Sequence, residues 1–166
     1  KLLRHGPKGQ EKPGLLDAKG QVRDLSALIP DITPATLAPA ALAALRALDL
    51  NALPVLPQGR LAVPWTGMSK FVAIGLNYAD HAAESGVPVP SEPILFSKAT
   101  TCINGPSDDI VVPRSSTKTD WEVELGVVIG TKAQYVAKDR ALDHVAGYCV
   151  INDVSERDFQ LKKGAS

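Results

Sequence analysis

The sequence has few aromatic residues, only two cysteines and no excess of charge of either sign. Lys plus Arg and Asp plus Glu both number 18, so the net charge gives no surface suited to a polyanion. The chain also lacks any basic run interleaved with aromatic residues. We therefore expect no nucleic-acid partner.

Long apolar runs are also absent, and none approaches the roughly 20 residues that a membrane-spanning helix needs. The opening stretch Lys1–Gly6 is too short and too polar for a signal peptide, so we expect a cytoplasmic protein without a membrane partner. Cys102 and Cys149 stand far apart in apolar surroundings. This context predicts buried thiols rather than a disulfide or a thiolate nucleophile.

Residues 1–68 are predicted to form a small N-terminal domain and a connector. Turn residues at 17–20 separate two short apolar runs, which is typical of a β-hairpin. The Ala- and Leu-rich stretch 34–49 favours a short amphipathic helix. Repeated prolines and a glycine over 50–68 interrupt regular structure, so the main domain is expected over residues 69–166.

The stretch 120–130 is predicted to be a β-strand, because apolar side chains fall on every second position. These positions are Val123, Leu125, Val127 and Ile129. The opposite face carries Glu122 and Glu124, roughly 7 Å apart along a strand. Two such carboxylates repel each other, and a divalent cation would relieve the repulsion. The alternative is an acidic face that is simply solvated.

A third acid, Asp153, follows the apolar stretch 145–151, which is predicted to be a buried strand that delivers this carboxylate to a cleft. On the helix predicted next, which Gly164 would end, Arg157 and Gln160 are i, i+3 neighbours. An arginine beside an amide suits an α-keto carboxylate, and a surface ion pair is the alternative.

His81 and Glu84 are i, i+3 neighbours on a predicted short helix and can face each other. A carboxylate that orients an imidazole raises its basicity, as a general base requires, although an exposed His–Glu pair is the alternative. Lys98 follows the predicted strand 94–97. Its ammonium either binds a substrate carboxylate or stays solvated.

Four motifs together resemble those of the fumarylacetoacetate hydrolase superfamily. They are Gly75–His81, Pro93–Lys98, Asp120–Gly126 and Asn152–Gln160. The motifs follow the order of the family from about residue 70 onward, and Asp153 lies 29 residues after Glu124, as in acylpyruvase-like members. The N-terminal hairpin is similar to that of the bacterial branch with 2,4-diketo-3-deoxy-sugar-acid hydrolases.

The resemblance implies an α+β, mostly β fold, a mixed β-roll with short flanking helices, and a homodimer. It implies one divalent ion, Mg²⁺ or alternatively Mn²⁺ or Ca²⁺, held by Glu122, Glu124 and Asp153. His81, oriented by Glu84, would activate the attacking water. Four further residues would bind the keto-acid substrate: Tyr78, Lys98, Arg157 and Gln160.

The implied reaction is hydrolysis of a C–C bond in a 1,3-diketo acid, an acylpyruvate or a 2,4-diketo-3-deoxy-sugar acid, with the ion stabilising an enolate. Oxaloacetate decarboxylation, 2-keto-4-pentenoate hydration and ureidoglycolate lysis are the alternatives within the superfamily. Relatives continue beyond the position of residue 166 in a stretch with a lysine often needed for catalysis. We therefore expect an N-terminal portion that is inactive alone, and a non-catalytic binding module is the remaining alternative.

Overall fold

The computed structural model describes the backbone over residues 1–163 and the side chains over residues 1–161, and this part of the chain is mostly β with few helices. Its strands are β1 Leu2–His5, β2 Lys12–Leu16, β3 Val22–Asp24, β4 Val72–Gly75, β5 Ile94–Ser97, β6 Thr119–Asp120, β7 Val123–Ile129, β8 Val145–Asn152 and β9 Ser155–Glu156. Its α-helices are α1 Pro39–Arg46 and α2 Ala79–Glu84. Short 3-10 helices span Leu50–Ala52, Thr100–Cys102 and Lys138–His144, and a π-helix spans Phe159–Lys163.

The strands pair as β1-β2-β3, β4-β5, β6-β9 and β7-β8, and every pair within residues 1–163 is antiparallel. The parallel pairing of a mixed roll is thus not seen in this part of the chain. No helix within the same range is long and apolar enough to cross a membrane. Gly164, predicted to end the last helix, lies outside the described residues.

The predicted N-terminal hairpin is confirmed by the pairing of β2 with β3. Its turn is stabilised by Asp17, whose Oδ1 accepts hydrogen bonds from the backbone N–H groups of Lys19 (2.8 Å) and Gln21 (2.9 Å). Gly20 has a φ of +77°, a conformation that glycine adopts without steric cost. The predicted helix is also present, but α1 is shorter than 34–49 and begins with a proline at its first turn.

The hydrophobic core joins the N-terminal unit to the β7–β8 pair. Ile32, Leu37 and Leu42 are buried, and Val128 and Ala146 pack against them. Gly130 lies at this contact, where an added Cβ would sit 2.5 Å from the carbonyl oxygen of Leu37. The close approach of the two backbones therefore requires glycine at this position.

The alternation predicted for β7 is confirmed, but its apolar side is open to solvent. Its four alternating apolar side chains are 49–65% exposed, and Tyr148 and Val150 on β8 are 60% and 81% exposed. Glu122 and Glu124, on the other face, are half-buried. The prediction of two buried thiols is wrong for Cys102, which ends a surface 3-10 helix and is exposed, while Cys149 is half-buried.

A second link between the N-terminal unit and the main domain is the Arg60 side chain. Arg60 binds Asp108 in a bidentate manner, with two distances of 2.5 Å, and its Nη1 also donates to Glu11 (3.1 Å) and to the carbonyl of Gly6 (3.2 Å). The hydrogen bonds from Arg60 are the main cause that lowers the pKa of Asp108 from its usual 3.8 to about 2. Arg60 therefore binds the Asp108 side chain more tightly when the carboxyl group is ionised than when it is protonated.

The Arg60–Asp108 link predicts a pH dependence of stability. Because the pKa of Asp108 is lowered on folding, its contribution is complete above the usual 3.8 and is lost as the pH falls toward about 2. The free energy of unfolding, measured with urea at several pH values across that interval, is expected to fall less in Asp108→Asn than in the unaltered protein. The neighbouring exposed Asp109→Asn is the control and should retain the full loss; equal losses in all three proteins would contradict the assignment.

Candidate active site

The antiparallel pairing of β7 with β8 brings three acidic residues to one face. Glu124 is opposite Ile151 in the ladder and Val123 is opposite Asn152. One residue further, the N–H of Asp153 donates to the carbonyl of Glu122 at 2.8 Å. Directly opposite residues of an antiparallel pair project to the same side, so Asp153 shares the face of Glu122 and Glu124. Glu122 itself lies just before β7, where its N–H donates to the side chain of Asn152 (3.1 Å).

Glu124 is the acid of this face whose pKa is raised. Burial raises the pKa of its carboxyl, and the negative charges of Glu122 and Asp153 raise it further, whereas His81 acts in the opposite direction. A raised pKa of this origin means that the three carboxylates repel one another in partly desolvated surroundings. A cation placed between them would reverse both effects.

Lys98 forms an ion pair with Asp153 in which its Nζ contacts Oδ1. The lysine directly follows β5. Its backbone N–H donates to the carbonyl of Phe71 (2.9 Å), so the backbone at Lys98 continues the β4–β5 ladder. The Lys98 and Asp153 side chains are only 23% and 14% exposed. The pair is therefore shielded from solvent more than an ordinary surface ion pair.

Arg157 uses its whole guanidinium on neighbouring side chains. Its Nη1 contacts Oε1 of Glu122 at 2.5 Å and donates to Gln160 at 3.2 Å. Its Nε and Nη2 both donate to Oδ2 of Asp120, at 3.1 and 2.9 Å. Although burial opposes the charged form, the hydrogen bond to Asp120 and the charge of Glu122 raise the pKa of Arg157 above its usual value.

The short helix α2 brings its side chains to the same region. The hydroxyl of Tyr78 donates to the carbonyl of Val123 (2.9 Å), which fixes the start of α2 against β7. His81 is exposed, and its charge acts on Glu124. Within the described residues, His81 and Glu84 form no hydrogen bond with each other, so the predicted orienting contact stays a prediction.

The three carboxylates match the ligands that a hard divalent cation prefers. Among the residues that the structure describes, no three His, Cys, Asp or Glu side chains lie close enough to coordinate one ion. Glu122 and Asp153 each use one oxygen, Oε1 and Oδ1 respectively, in an ion pair with a cationic side chain. The shared face and the donor chemistry therefore fit a divalent ion, which would need a rearrangement of these side chains.

Sequence reasoning missed three residues that organise this site: Asp120, Asn152 and Glu156. Asp120 binds Arg157, and Asn152 binds the backbone of Glu122. The Glu156 carboxylate accepts hydrogen bonds from the side chain of Ser116 and from the backbone of Lys118, so it holds the loop that leads into β6. The contacts of Asp120 and Glu156 depend on the two-residue pairing of β6 with β9, and so short a pairing leaves no periodicity in the sequence.

A family model described as "Fumarylacetoacetate (FAA) hydrolase C-terminal" matches residues 70–166, the region that contains this site. A curated protein of Burkholderia ambifaria, named "Putative hydrolase", is 59% identical over 165 residues. That match covers 99% of this chain and 58% of the relative. The chain thus spans less than two thirds of the length of this relative.

Two solved structures share the fold. A fumarylacetoacetate hydrolase from Exiguobacterium antarcticum has a TM-score of 0.77 and 31% identity, over 96% of this chain and 57% of that one. A maleylpyruvate hydrolase from Sphingobium sp., in complex with manganese(II) ion and pyruvate, has a TM-score of 0.75 over 94% of this chain and 59% of that one. Its identity is 22%, so this second likeness concerns the fold alone.

The raised pKa of Glu124 gives a prediction for the protein in the presence of a chelator. An acid with a raised pKa in the folded state favours folding below its usual 4.5, and that advantage is lost as the pH rises. Glutamine is neutral, like the protonated acid. Glu124→Gln is therefore expected to raise the melting temperature by a few degrees at neutral pH and to leave it unchanged at about pH 4. Scanning calorimetry at both pH values measures this difference.

The control for this measurement is Glu92→Gln, which alters an exposed acid in a loop and should change neither melting temperature. A Glu124→Gln variant that is less stable than the unaltered protein at neutral pH would contradict the repulsion among the three acids.

Proposed function

Because this chain belongs to the fumarylacetoacetate hydrolase family, we propose that the complete protein is a divalent-metal-dependent hydrolase acting on a C–C bond. The proposed substrate is a 1,3-diketo acid, an acylpyruvate or a 2,4-diketo-3-deoxy-sugar acid. The structure of the Sphingobium maleylpyruvate hydrolase is described as a complex with manganese(II) ion and pyruvate, and this supports the proposal of a metal cofactor and a keto-acid substrate. Mg²⁺ is the proposed ion, and the β-roll, the homodimer and the cytoplasmic location belong to the same proposal.

The observation that carries the proposal is the acidic face formed by Glu122, Glu124 and Asp153. A face that three carboxylates share, and on which the pKa of Glu124 is raised, is a place where a divalent cation gains binding energy from those carboxylates. A bound ion supplies Lewis acidity, which stabilises the enolate oxygen that develops when the C–C bond breaks. We assign the metal-binding role to these three residues.

Hydrolysis also needs a group that takes a proton from the attacking water. His81 is the proposed base, because it lies close enough to the acidic face for its charge to act on Glu124. Glu84, three residues further on α2, is the proposed partner that orients the imidazole. The water oxygen would add to the carbonyl carbon remote from the carboxylate. The bond from that carbon to the CH₂ group would then break, its electrons would form the enolate, and the enolate carbon would take up the proton removed from the water.

The substrate is proposed to lie between α2 and the end of β5. Tyr78, which binds the carbonyl of Val123, and Lys98, which contacts Asp153, are proposed to line this region, and the Lys98 ammonium would provide a positive charge for a carboxylate. The family resemblance suggests substrate contacts for Arg157 and Gln160 as well.

One observation favours a second candidate reaction at the same site. His81 and Glu84 share no hydrogen bond within the described residues, and a decarboxylase or lyase needs no activated water. Oxaloacetate decarboxylation and ureidoglycolate lysis are therefore the alternatives that this observation favours, and 2-keto-4-pentenoate hydration, which does consume water, is a further alternative within the superfamily.

A substrate comparison separates these reactions. The complete protein with Mg²⁺ or Mn²⁺ is expected to convert an acylpyruvate to pyruvate and a carboxylic acid, and this conversion should stop with a chelator. Release of CO₂ from oxaloacetate or urea from ureidoglycolate, with the acylpyruvate left intact, would instead establish the second candidate.

Substitutions test the assigned roles. Glu122→Ala, Glu124→Ala and Asp153→Ala are each expected to abolish metal-dependent turnover and saturable metal binding, because each removes a ligand. His81→Ala is expected to reduce the rate by roughly 10²–10⁴-fold and to leave metal affinity largely intact, as removal of a general base does. Steady-state kinetics and calorimetric titration with Mn²⁺ give the two quantities.

The control is Asp139→Ala, an exposed acid in the 3-10 helix Lys138–His144, which should change neither quantity. Turnover that survives in all three acid variants would refute the metal site. A complete protein without a saturable metal site and without turnover would instead be a binding module.

A further inference from the structure

Each of the three guanidinium nitrogens of Arg157 contacts a neighbouring side chain in the described part of the chain. Nε and Nη2 are both held by Asp120, and Nη1 is shared between Glu122 and Gln160. A guanidinium that bound a substrate carboxylate in a bidentate manner would need two adjacent nitrogens facing the ligand. The contacts of Arg157 therefore point toward the acidic face rather than toward a substrate.

A backbone hydrogen bond orients the Asp120 side chain toward Arg157. Its Oδ1 accepts a hydrogen bond from the backbone N–H of Trp121 (2.9 Å), which leaves Oδ2 for the guanidinium. The antiparallel pair β6–β9 sets Asp120 opposite Ser155, and the N–H of Arg157 donates to the carbonyl of Lys118 (2.9 Å). The backbone thus fixes both ends of the Asp120–Arg157 contact.

We propose that Asp120 and Arg157 are positioning residues that orient the Glu122 carboxylate for the metal ion. Asp120 fixes the guanidinium, and the guanidinium holds Oε1 of Glu122, so that the second carboxylate oxygen is presented to the ion. Groups that hydrogen-bond to the ligands of a metal ion fix the ligand orientation, and their loss weakens metal binding. This inference rests on the proposed function, because it takes Glu122 to be a metal ligand.

The sign of the effect distinguishes positioning from a simple effect of net charge. If only the net charge near the acids mattered, loss of the Arg157 cation would strengthen divalent-ion binding and loss of the Asp120 anion would weaken it. Positioning predicts weaker binding in both cases, because either change releases Glu122. The two residues carry opposite charges, so the pair of substitutions forms an internal control.

The experiment is a calorimetric titration of Mn²⁺ into the complete protein without substrate. Arg157→Met and Asp120→Ala are each expected to weaken Mn²⁺ binding by about 10–100-fold, the usual effect of removing a group that supports a ligand. Arg157→Lys keeps the charge but not the planar fork, and it should also weaken binding. Circular dichroism of each variant checks that the fold is retained.

The matched control is the exposed ion pair Arg140–Asp143, in which Arg140→Met and Asp143→Asn remove the same charges and should leave Mn²⁺ affinity unchanged. Tighter or unchanged Mn²⁺ binding in Arg157→Met, together with a raised KM for the substrate in steady-state kinetics, would show that Arg157 binds the substrate. That result would overturn the inference and leave the proposed function intact. Absence of a saturable Mn²⁺ site in the unaltered protein would overturn both.

Discussion

The hydrogen bond from the N–H of Asp153 to the carbonyl of Glu122 is the contact on which the candidate site depends. It continues the β7–β8 ladder one step beyond β8, and so keeps residues 122 and 153 directly opposite each other. Because side chains alternate with a period of two, a slip of one residue would send Asp153 to the opposite face. The backbone register therefore determines the acidic face before any side chain is considered.

Two cationic side chains of the chain offset part of the negative charge of this face. Lys98 contacts Asp153 and Arg157 contacts Glu122, while burial and the other two acids raise the pKa of Glu124. A partly buried group of carboxylates is costly without such partners. Lys98 and Arg157 therefore lower the cost of placing these carboxylates together in the fold.

The sequence was sufficient to predict which residues share a face, but not which face is covered. The alternation of β7, the N-terminal hairpin and the place of Asp153 at a strand end were all predictable from residue periodicity and turn chemistry. Exposure of the apolar side of β7 depends on what packs against it, and this chain spans only 58% of the Burkholderia ambifaria relative. The roles of Asp120 and Glu156 depend on contacts across 37 and 40 residues, which local patterns do not encode.

The most direct measurement of the central claim is a crystal structure of the complete protein soaked with Mn²⁺, in which anomalous scattering locates the ion. We expect one strong anomalous peak with carboxylate oxygens of Glu122, Glu124 and Asp153 at about 2.0–2.3 Å. A peak elsewhere, or an acidic face that stays bound to Lys98 and Arg157 at saturating Mn²⁺ without any peak, would contradict it.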